Sequence, residues 1–302
     1  MASGPFMFKL KALALAAMSL GLGGAASAQT AGQGVGIAPQ YDTTHVYVAP
    51  DQMAAFAAAF IATFGGAASK PATMDVTPTP SSTTFRAFTT PAGSLSVFAF
   101  TTPIPYPFGE ERTGYLVRDM DTAVAAARRA GAEVVVSPFP DPIGRDAVIR
   151  WPGGVNMQLY WHTTPPSYAP FVTVPENRVY VPAETADALV GDFIAFSGGH
   201  VVADDVKAPG AEIGRPGETS RRIRLVSDFG KMTVLVSDGH LPWPYGRELT
   251  GYEVSNLTET LAKAKAAGVE VLTGPYAAGD RDAAMVRFPG GYIAEIHAAR
   301  PQ

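Results

Sequence analysis

The sequence predicts an α+β fold of four βαβββ units, arranged as two tandem domains, and two observations lead to this prediction. First, the chain repeats itself: residues 105–115 read PYPFGEERTGY and residues 242–252 read PWPYGRELTGY, with seven of the eleven positions identical. A repeat of about 130 residues is a duplicated domain, because solenoid repeats have periods of roughly 20–50 residues. Second, within each copy the order of a strand, a helix and further strands occurs twice.

The first unit of each copy opens with a short β-branched and aromatic strand, at His45–Val48 and Arg178–Val181. Alanine-rich helices follow at about 50–64 and 183–197, and a Gly-Gly pair ends each of them. Alternating segments separated by tight turns predict hairpin strands. These strands are predicted at 84–90, 94–101, 221–227 and 231–237.

The second unit begins with a Gly-Tyr strand, at Gly114–Val117 and Gly251–Val254. Asp119 and Asn256 follow these strands, and their side chains can accept the free N–H groups of a first helical turn. A helix is therefore predicted after each, ending in the first copy at Gly131. Further strands are predicted at 133–137, 146–151 and 155–161.

The N-terminus has the features of a secretory signal peptide over residues 1–28: two lysines, an apolar run and the cleavage site Ala26-Ser27-Ala28. We therefore expect an exported protein, periplasmic or secreted, without stable membrane insertion after cleavage; the alternative is an N-terminal membrane anchor. Composition predicts a flexible leader at 29–40 and a proline-rich linker at 163–176. The two domains then span 41–162 and 177–302.

The charge balance is mildly acidic, with 27 acidic and 23 basic residues and no basic run. This argues against nucleic acid as a partner. Cysteine is absent, so stability depends on burial without disulfide bonds.

Three pairs of segments carry a resemblance to a known family. They are GYLV and GYEV with the helices after them, AGAEVVVSP (130–138) and AGVEVLTGP (267–275), and RWPGGVNMQLY (150–160) and RFPGGYIAEIH (287–297). In this order and spacing they resemble the vicinal oxygen chelate superfamily, which includes glyoxalases, extradiol dioxygenases and bleomycin resistance proteins. The resemblance implies two glyoxalase-like domains with cupped mixed sheets. It also implies that a divalent metal in the cup chelates two neighbouring oxygens of a substrate, and no organic cofactor.

The resemblance places the metal ligands on the first strand, the first strand of the second unit and the last strand. The matching positions in the two copies are His45 and Arg178, Arg112 and Leu249, and Gln158 and Glu295. Neither copy has a full set of three ligands. Within one copy Arg178 faces Glu295, which predicts an ion pair, whereas exchange of units between copies brings His45 to Glu295. His297 shares a strand face with Glu295, so the metal candidates are His45, Glu295 and His297.

The two repeated loops supply the other candidate residues. Tyr106, Phe108, Trp243 and Tyr245 alternate with prolines and either line the mouth of a cup, together with Arg112, or pack the units together. Glu111 and Glu248 occupy the same position in the two loops, one in each. They act either as a general base or as hydrogen-bond partners of loop amides.

Three functions remain open at this point. The chain is a metal-dependent enzyme of the glyoxalase or dioxygenase type, a metal-free protein that binds a small molecule, or a structural module whose cups are filled by side chains. The expected partner in the first two cases is a small oxygen-bearing molecule, and the sequence leaves the oligomeric state open.

Overall fold

A computed structural model describes residues 34–301, so the predicted signal peptide and residues 29–33 of the leader lie outside the described residues. Residues 34–40 of the predicted leader are hydrogen-bonded to the fold. Ile37 N–H donates to the Leu116 carbonyl at 3.0 Å, and Gly36 bridges to Val117. Within the described residues no helix is long and apolar enough to cross a membrane.

The first copy forms one nine-stranded mixed sheet with two helices. Its strands are β1 (Thr43–Tyr47), β2 (Ala67–Ala68), β3 (Ala72–Met74), β4 (Thr83–Thr90), β5 (Gly93–Phe100), β6 (Thr113–Leu116), β7 (Glu133–Pro140), β8 (Gly144–Trp151) and β9 (Val155–His162). Its helices are α1 (Met53–Phe64) and α2 (Met120–Arg129). The strand order is β2-β4-β5-β1-β6-β9-β8-β7, with β3 paired to β4.

The second copy forms an eight-stranded sheet with the same connections. Its strands are β10 (Glu176–Val181), β11 (His200–Pro209), β12 (Thr219–Ser227), β13 (Gly230–Val236), β14 (Leu249–Glu253), β15 (Glu270–Ala277), β16 (Arg281–Arg287) and β17 (Ile293–Ala299). Its helices are α3 (Ala183–Ser197) and α4 (Leu257–Ala266). The strand order is β11-β12-β13-β10-β14-β17-β16-β15.

The βαβββ prediction is confirmed, and so is the predicted capping of the second helix in each copy. The Asp119 side chain accepts from Thr122 N–H at 2.8 Å, and that of Asn256 accepts from Glu259 N–H at 3.0 Å. Each sheet joins two units of the same copy, because β1 pairs with β6 and β10 pairs with β14. The unit exchange considered above therefore does not occur in the sheets.

The helices, in contrast, pack between copies. One apolar core contains residues of α1, such as Phe56 and Phe60, together with Leu257 and Leu261 of α4. The other core joins α2 to α3. Each copy thus contributes one helix to each of two shared cores.

The face of each sheet turned away from these cores is called the inner face below. Side chains alternate between the faces of a strand. Val46 of β1 belongs to the core shared with α4, so His45 and Tyr47 lie on the inner face of the first sheet.

Strand β11 and the 3-10 helix after it, Gly210–Ile213, are not among the predicted elements. Asp204, Asp205 and Lys207 interrupt the apolar alternation of β11. The strand pairs only with β12 and lies at the edge of the sheet, where charged residues are common.

Candidate functional site

A buried histidine–glutamate–tyrosine cluster lies on the inner face of the first sheet. His45 Nδ1 is 3.3 Å from Glu111 Oε1, and the Tyr47 hydroxyl donates to the same oxygen. Glu111 is fully buried, and its Oε2 has no hydrogen-bond partner among the described residues. The backbone brings these groups together because His45 N–H donates to the Arg112 carbonyl at 2.9 Å. One buried carboxylate oxygen is therefore left for a further donor.

Aromatic rings surround this cluster. Phe98 meets the His45 ring edge-on at 5.6 Å between centroids, and Tyr47 stacks on Phe98 and Phe100 at 5.3 and 6.2 Å. Phe85 packs on Phe98 from β4 at 5.5 Å. Burial, together with the charge of Glu111, raises the pKa of Tyr47 well above its ordinary value, so its phenol stays protonated and donates.

Arg112 lies at the rim of this cluster. Its guanidinium is 5.9 Å from the centre of the Tyr47 ring and donates to the Gly109 carbonyl at 2.9 Å. On the other side of the inner face, burial raises the pKa of Asp146 well above its ordinary value, and a hydrogen bond with Gln158 opposes that rise. The first sheet therefore combines a cation, a buried hydrogen-bonded cluster and an aromatic wall.

In the second sheet, the position equivalent to His45 is occupied by Arg178, whose side chain is only 1% exposed. Its guanidinium lies 2.5 Å from a Glu176 oxygen, 3.2 Å from a Glu212 oxygen and 3.6 Å from a Glu295 oxygen. The predicted ion pair between Arg178 and Glu295 is confirmed as part of a larger network. Arg222 also contacts Glu212.

The same network includes the predicted metal candidates of the second copy. Arg281 donates to Glu176 at 3.0 Å and lies 3.2 Å from His297 Nε2, while His297 Nδ1 is 2.9 Å from Glu295. Burial alone would raise the pKa of Glu176 and Glu295, but the Arg178 charge lowers the pKa of both below the ordinary value. Both carboxylates are therefore charged and neutralised within the protein.

The residues present do not fit the divalent metal that the resemblance implies. His45 belongs to the first sheet, whereas Glu295 and His297 belong to β17 of the second. Val46 and Ile296 pack in one core, so the neighbouring His45 and Glu295 point to opposite sides of it. Over residues 34–301 no group of three or more His, Asp or Glu side chains is placed to hold a metal.

Each sheet instead has an arginine at one of the three ligand positions carried over from the family: Arg112 in the first sheet and Arg178 in the second. A fixed guanidinium repels a metal cation at short range. The metal site expected from His45, Glu295 and His297 is therefore not assembled in this structure.

The outer aromatic residues of the repeated loops lie on the surface. Tyr106 is 66% exposed and Trp243 is 63% exposed. The guanidinium of Arg150 lies 5.9 Å from the Tyr106 ring, and that of Arg287 lies 5.6 Å from the Trp243 ring. The two copies thus repeat the same cation–π contact outside the cups.

The inner aromatic residues of the loops fill the cups. Phe108 is buried against Phe139, with 5.9 Å between ring centroids, and against Val148. In the second copy Tyr245 is buried, and its hydroxyl is 2.8 Å from Thr273 Oγ1. These two residues pack the second unit of each sheet.

The two repeated glutamates approach each other between the copies. Burial raises the pKa of Glu248 to about 8. The negative charge of Glu111 also raises this pKa, whereas the positive charge of Arg112 lowers it. Glu248 lines a half-open cleft of about 440 Å³ between the loop at 109–112 and its equivalent at 246–248. The turn at 153–156 and residues of β10 complete the cleft.

Several residues of these clusters are absent from the sequence predictions. Tyr47 and Glu176 lie two positions from His45 and Arg178 on the same strands, so the two-residue period of a strand places them on the same face. That signal was present in the sequence. Glu212 and Arg281 carry no such signal, because Glu212 reaches Arg178 and Arg281 reaches Glu176 from distant parts of the second copy.

Comparison with solved structures supports the fold. A variant of 4-hydroxymandelate synthase from Streptomyces coelicolor is similar with a TM-score of 0.58 and 15% identity, covering 89% of this chain and 95% of that one. The 2,3-dioxygenase LapB from a Pseudomonas species is similar with a TM-score of 0.53 and 13% identity, covering 89% and 94%. A Mn(II)-bound glyoxalase from Novosphingobium aromaticivorans is similar with a TM-score of 0.51 and 14% identity, covering 85% and 80%.

No protein-family model and no curated protein sequence matches the chain. The likeness to these structures extends over both copies and agrees with the segments from which the resemblance was inferred. The chain therefore shares its fold with these solved structures, and this is the fold that the resemblance implied.

Proposed function

We propose that the chain binds a small aromatic molecule bearing a hydroxyl group at the inner face of the first sheet, and that Glu111, held by His45 and Tyr47, accepts the proton of that hydroxyl. The observation that carries this proposal is the unpartnered Glu111 Oε2, which is buried beside His45 and the aromatic wall. A buried carboxylate oxygen without a donor costs free energy, and a ligand hydroxyl at this position offsets that cost.

The chemistry follows from the roles of the three side chains. The protonated Tyr47 phenol holds Glu111 Oε1, which leaves Oε2 to accept a proton from the ligand. His45 Nδ1, also at Oε1, relays a proton or stabilises the carboxylate. The rings of Tyr47, Phe98 and Phe100 offer the ligand an aromatic surface to stack on.

The second sheet supports a different role. Its inner face is occupied by the Arg178 network, and by Tyr180, Tyr245 and Met285, which pack in one cluster. Charges that are already paired inside the protein gain little from a ligand. We infer that this sheet is structural and that the two copies have diverged in function.

Phenol and toluene provide the test, because they differ mainly by exchange of a hydroxyl for a methyl group. Titration calorimetry is expected to show phenol binding at least tenfold more tightly than toluene, since the hydroxyl meets Glu111 Oε2. Glu111→Gln is expected to weaken phenol binding about tenfold. The matched control Glu133→Gln removes an exposed carboxylate on β7, and the phenol affinity of this variant should equal that of the wild type.

Equal affinity for phenol and toluene in the wild-type protein would contradict the proposal, whatever the variants do. Unchanged phenol binding by a folded Glu111→Gln variant would also contradict it.

We also propose that the chain is exported, on the basis of residues 1–28 alone. Expression of the full chain in a bacterial host should yield a mature periplasmic protein starting near Gln29. A cytoplasmic full-length product would contradict this proposal.

A further inference from the structure

We propose that the cleft between the two copies is a second ligand site, which shares only the rim residue Arg112 with the first-sheet cluster, and that it takes a small hydroxylated organic carboxylate such as a sugar acid. The two repeated loops face each other across the cleft, which has a volume of about 440 Å³. That volume falls in the range of small-molecule sites.

The first argument is charge. Arg112 and Arg247 both line the cleft, and neither guanidinium lies within 4 Å of a carboxylate among residues 34–301. Most guanidiniums of the second sheet, in contrast, are paired with carboxylates, as Arg178, Arg222 and Arg281 show. A guanidinium presents a planar set of donors that matches a carboxylate, and two of them at one cleft favour an organic anion.

The second argument is the polarity of the remaining lining. Asn156 accepts from Arg150 at 2.9 Å through its oxygen, which leaves its amide N–H groups for the cleft. Glycine backbone at 109, 153–154 and 246 adds amide and carbonyl groups, and Glu110 adds an exposed carboxylate. Apolar surface comes from Val155, Val179 and the ring of Tyr180. This lining suits a ligand with several hydroxyl groups better than an aromatic hydrocarbon.

The third argument is an unpartnered carboxyl oxygen of Glu248, which lines the cleft. Glu248 Oε1 is buried and has no hydrogen-bond partner in the described part of the chain. Because the pKa of Glu248 is raised to about 8, this group is mostly neutral at pH 7 and can donate to a ligand oxygen. Arg112 and Arg247 of the cleft favour an anion, whereas Glu110 and the nearby Glu111 oppose one. The buried Tyr115 phenol and the Asn177 side chain also lie beside Glu248.

The probe is gluconate, compared with glucose at the same concentrations by titration calorimetry on the full mature chain. Gluconate should bind at pH 7 and glucose should bind at least tenfold more weakly, because only gluconate meets the two arginines. Arg247→Gln should weaken gluconate binding about tenfold. The control Arg129→Gln makes the same change of charge at the exposed end of α2 and should bind as the wild type does.

Raising the pH from 7 to 9 should weaken gluconate binding by up to about tenfold, because Glu248 ionises in that interval while gluconate stays charged. Glu248→Gln, which keeps a neutral side chain, should remove this dependence. Phenol titration of Arg247→Gln separates the two sites: unchanged phenol affinity with weakened gluconate affinity supports two sites.

Three results would overturn the proposal. The first is equal affinity of the wild-type protein for gluconate and glucose. The second is equal gluconate affinity of the Arg247→Gln and Arg129→Gln variants. The third is an equal loss of gluconate affinity in Arg247→Gln and Glu111→Gln, which would indicate one shared site.

Discussion

Substitution of Arg178 by methionine tests the account of the second sheet most directly. The wild-type network places three arginines against three glutamates, and Arg178 touches all three of those carboxylates. Without it, Glu176 keeps Arg281 and Glu212 keeps Arg222, but Glu295 keeps only His297. The uncompensated charge therefore falls on Glu295, which is fully buried.

The expected cost of Arg178→Met is about 3–5 kcal/mol of unfolding free energy, the range measured when one partner of a buried ion pair is removed. Adding Glu295→Gln removes the stranded charge, so the double variant should be more stable than Arg178→Met alone by at least about 1 kcal/mol. Urea unfolding followed by tryptophan fluorescence and far-UV circular dichroism measures all four species of this cycle.

The pH dependence provides a second readout of the same network. The folded-state pKa values of Glu176 and Glu295 are lowered, so these groups contribute stability above the unfolded-state pKa of about 4.3, and that contribution is lost as pH falls below it. The wild type should therefore lose stability steeply below about pH 5, and Arg178→Met should lose less. An Arg178→Met variant within about 1 kcal/mol of the wild type at pH 7, or no rescue by Glu295→Gln, would refute this reasoning.

Three further predictions concern the loops, the caps and the metal. Phe108→Ala should destabilise the protein by about 3–5 kcal/mol, because it leaves a cavity at a buried site. Tyr106→Ala, at the exposed position, should cost less than about 1 kcal/mol. Similar thermal midpoints for the two variants would contradict the assigned packing. Asp119→Ala and Asn256→Ala should each cost about 1 kcal/mol in urea unfolding, because each removes one N-cap hydrogen bond, and Asp119→Asn should restore most of the loss. After dialysis against Mn²⁺ and desalting, elemental analysis should find well under one equivalent of metal per chain. One equivalent of bound metal in the wild type, lost in His45→Ala, would contradict the assignment of the first sheet as metal-free.

The repeat made most of the fold predictable from the sequence. Both copies contain the same hairpin turns, Gly-Gly helix ends and N-caps. These are local signals that depend on a few neighbouring residues. The ion pair between Arg178 and Glu295 was also predictable, because the resemblance implies which strand positions share a cup.

Long-range features were not predictable in this way. Nothing in a single sequence shows that α1 packs on α4, since both helices present similar apolar faces. Glu212 lies on the 3-10 helix after β11, an edge strand whose charges hide its alternation. The cleft between the copies depends on how two loops from distant parts of the chain meet in the folded protein, and no local sequence signal encodes that contact.

The sharing of both apolar cores between the two copies has a consequence for how such a chain can change over time. Two identical subunits associated in the same way would be forced to carry every substitution twice, so a cationic side chain in one bowl would appear in the other as well. A covalent tandem is free of that constraint. It can hold an imidazole at one of two matching positions and a guanidinium at the other, and neither half can be removed without exposing the apolar faces of its companion.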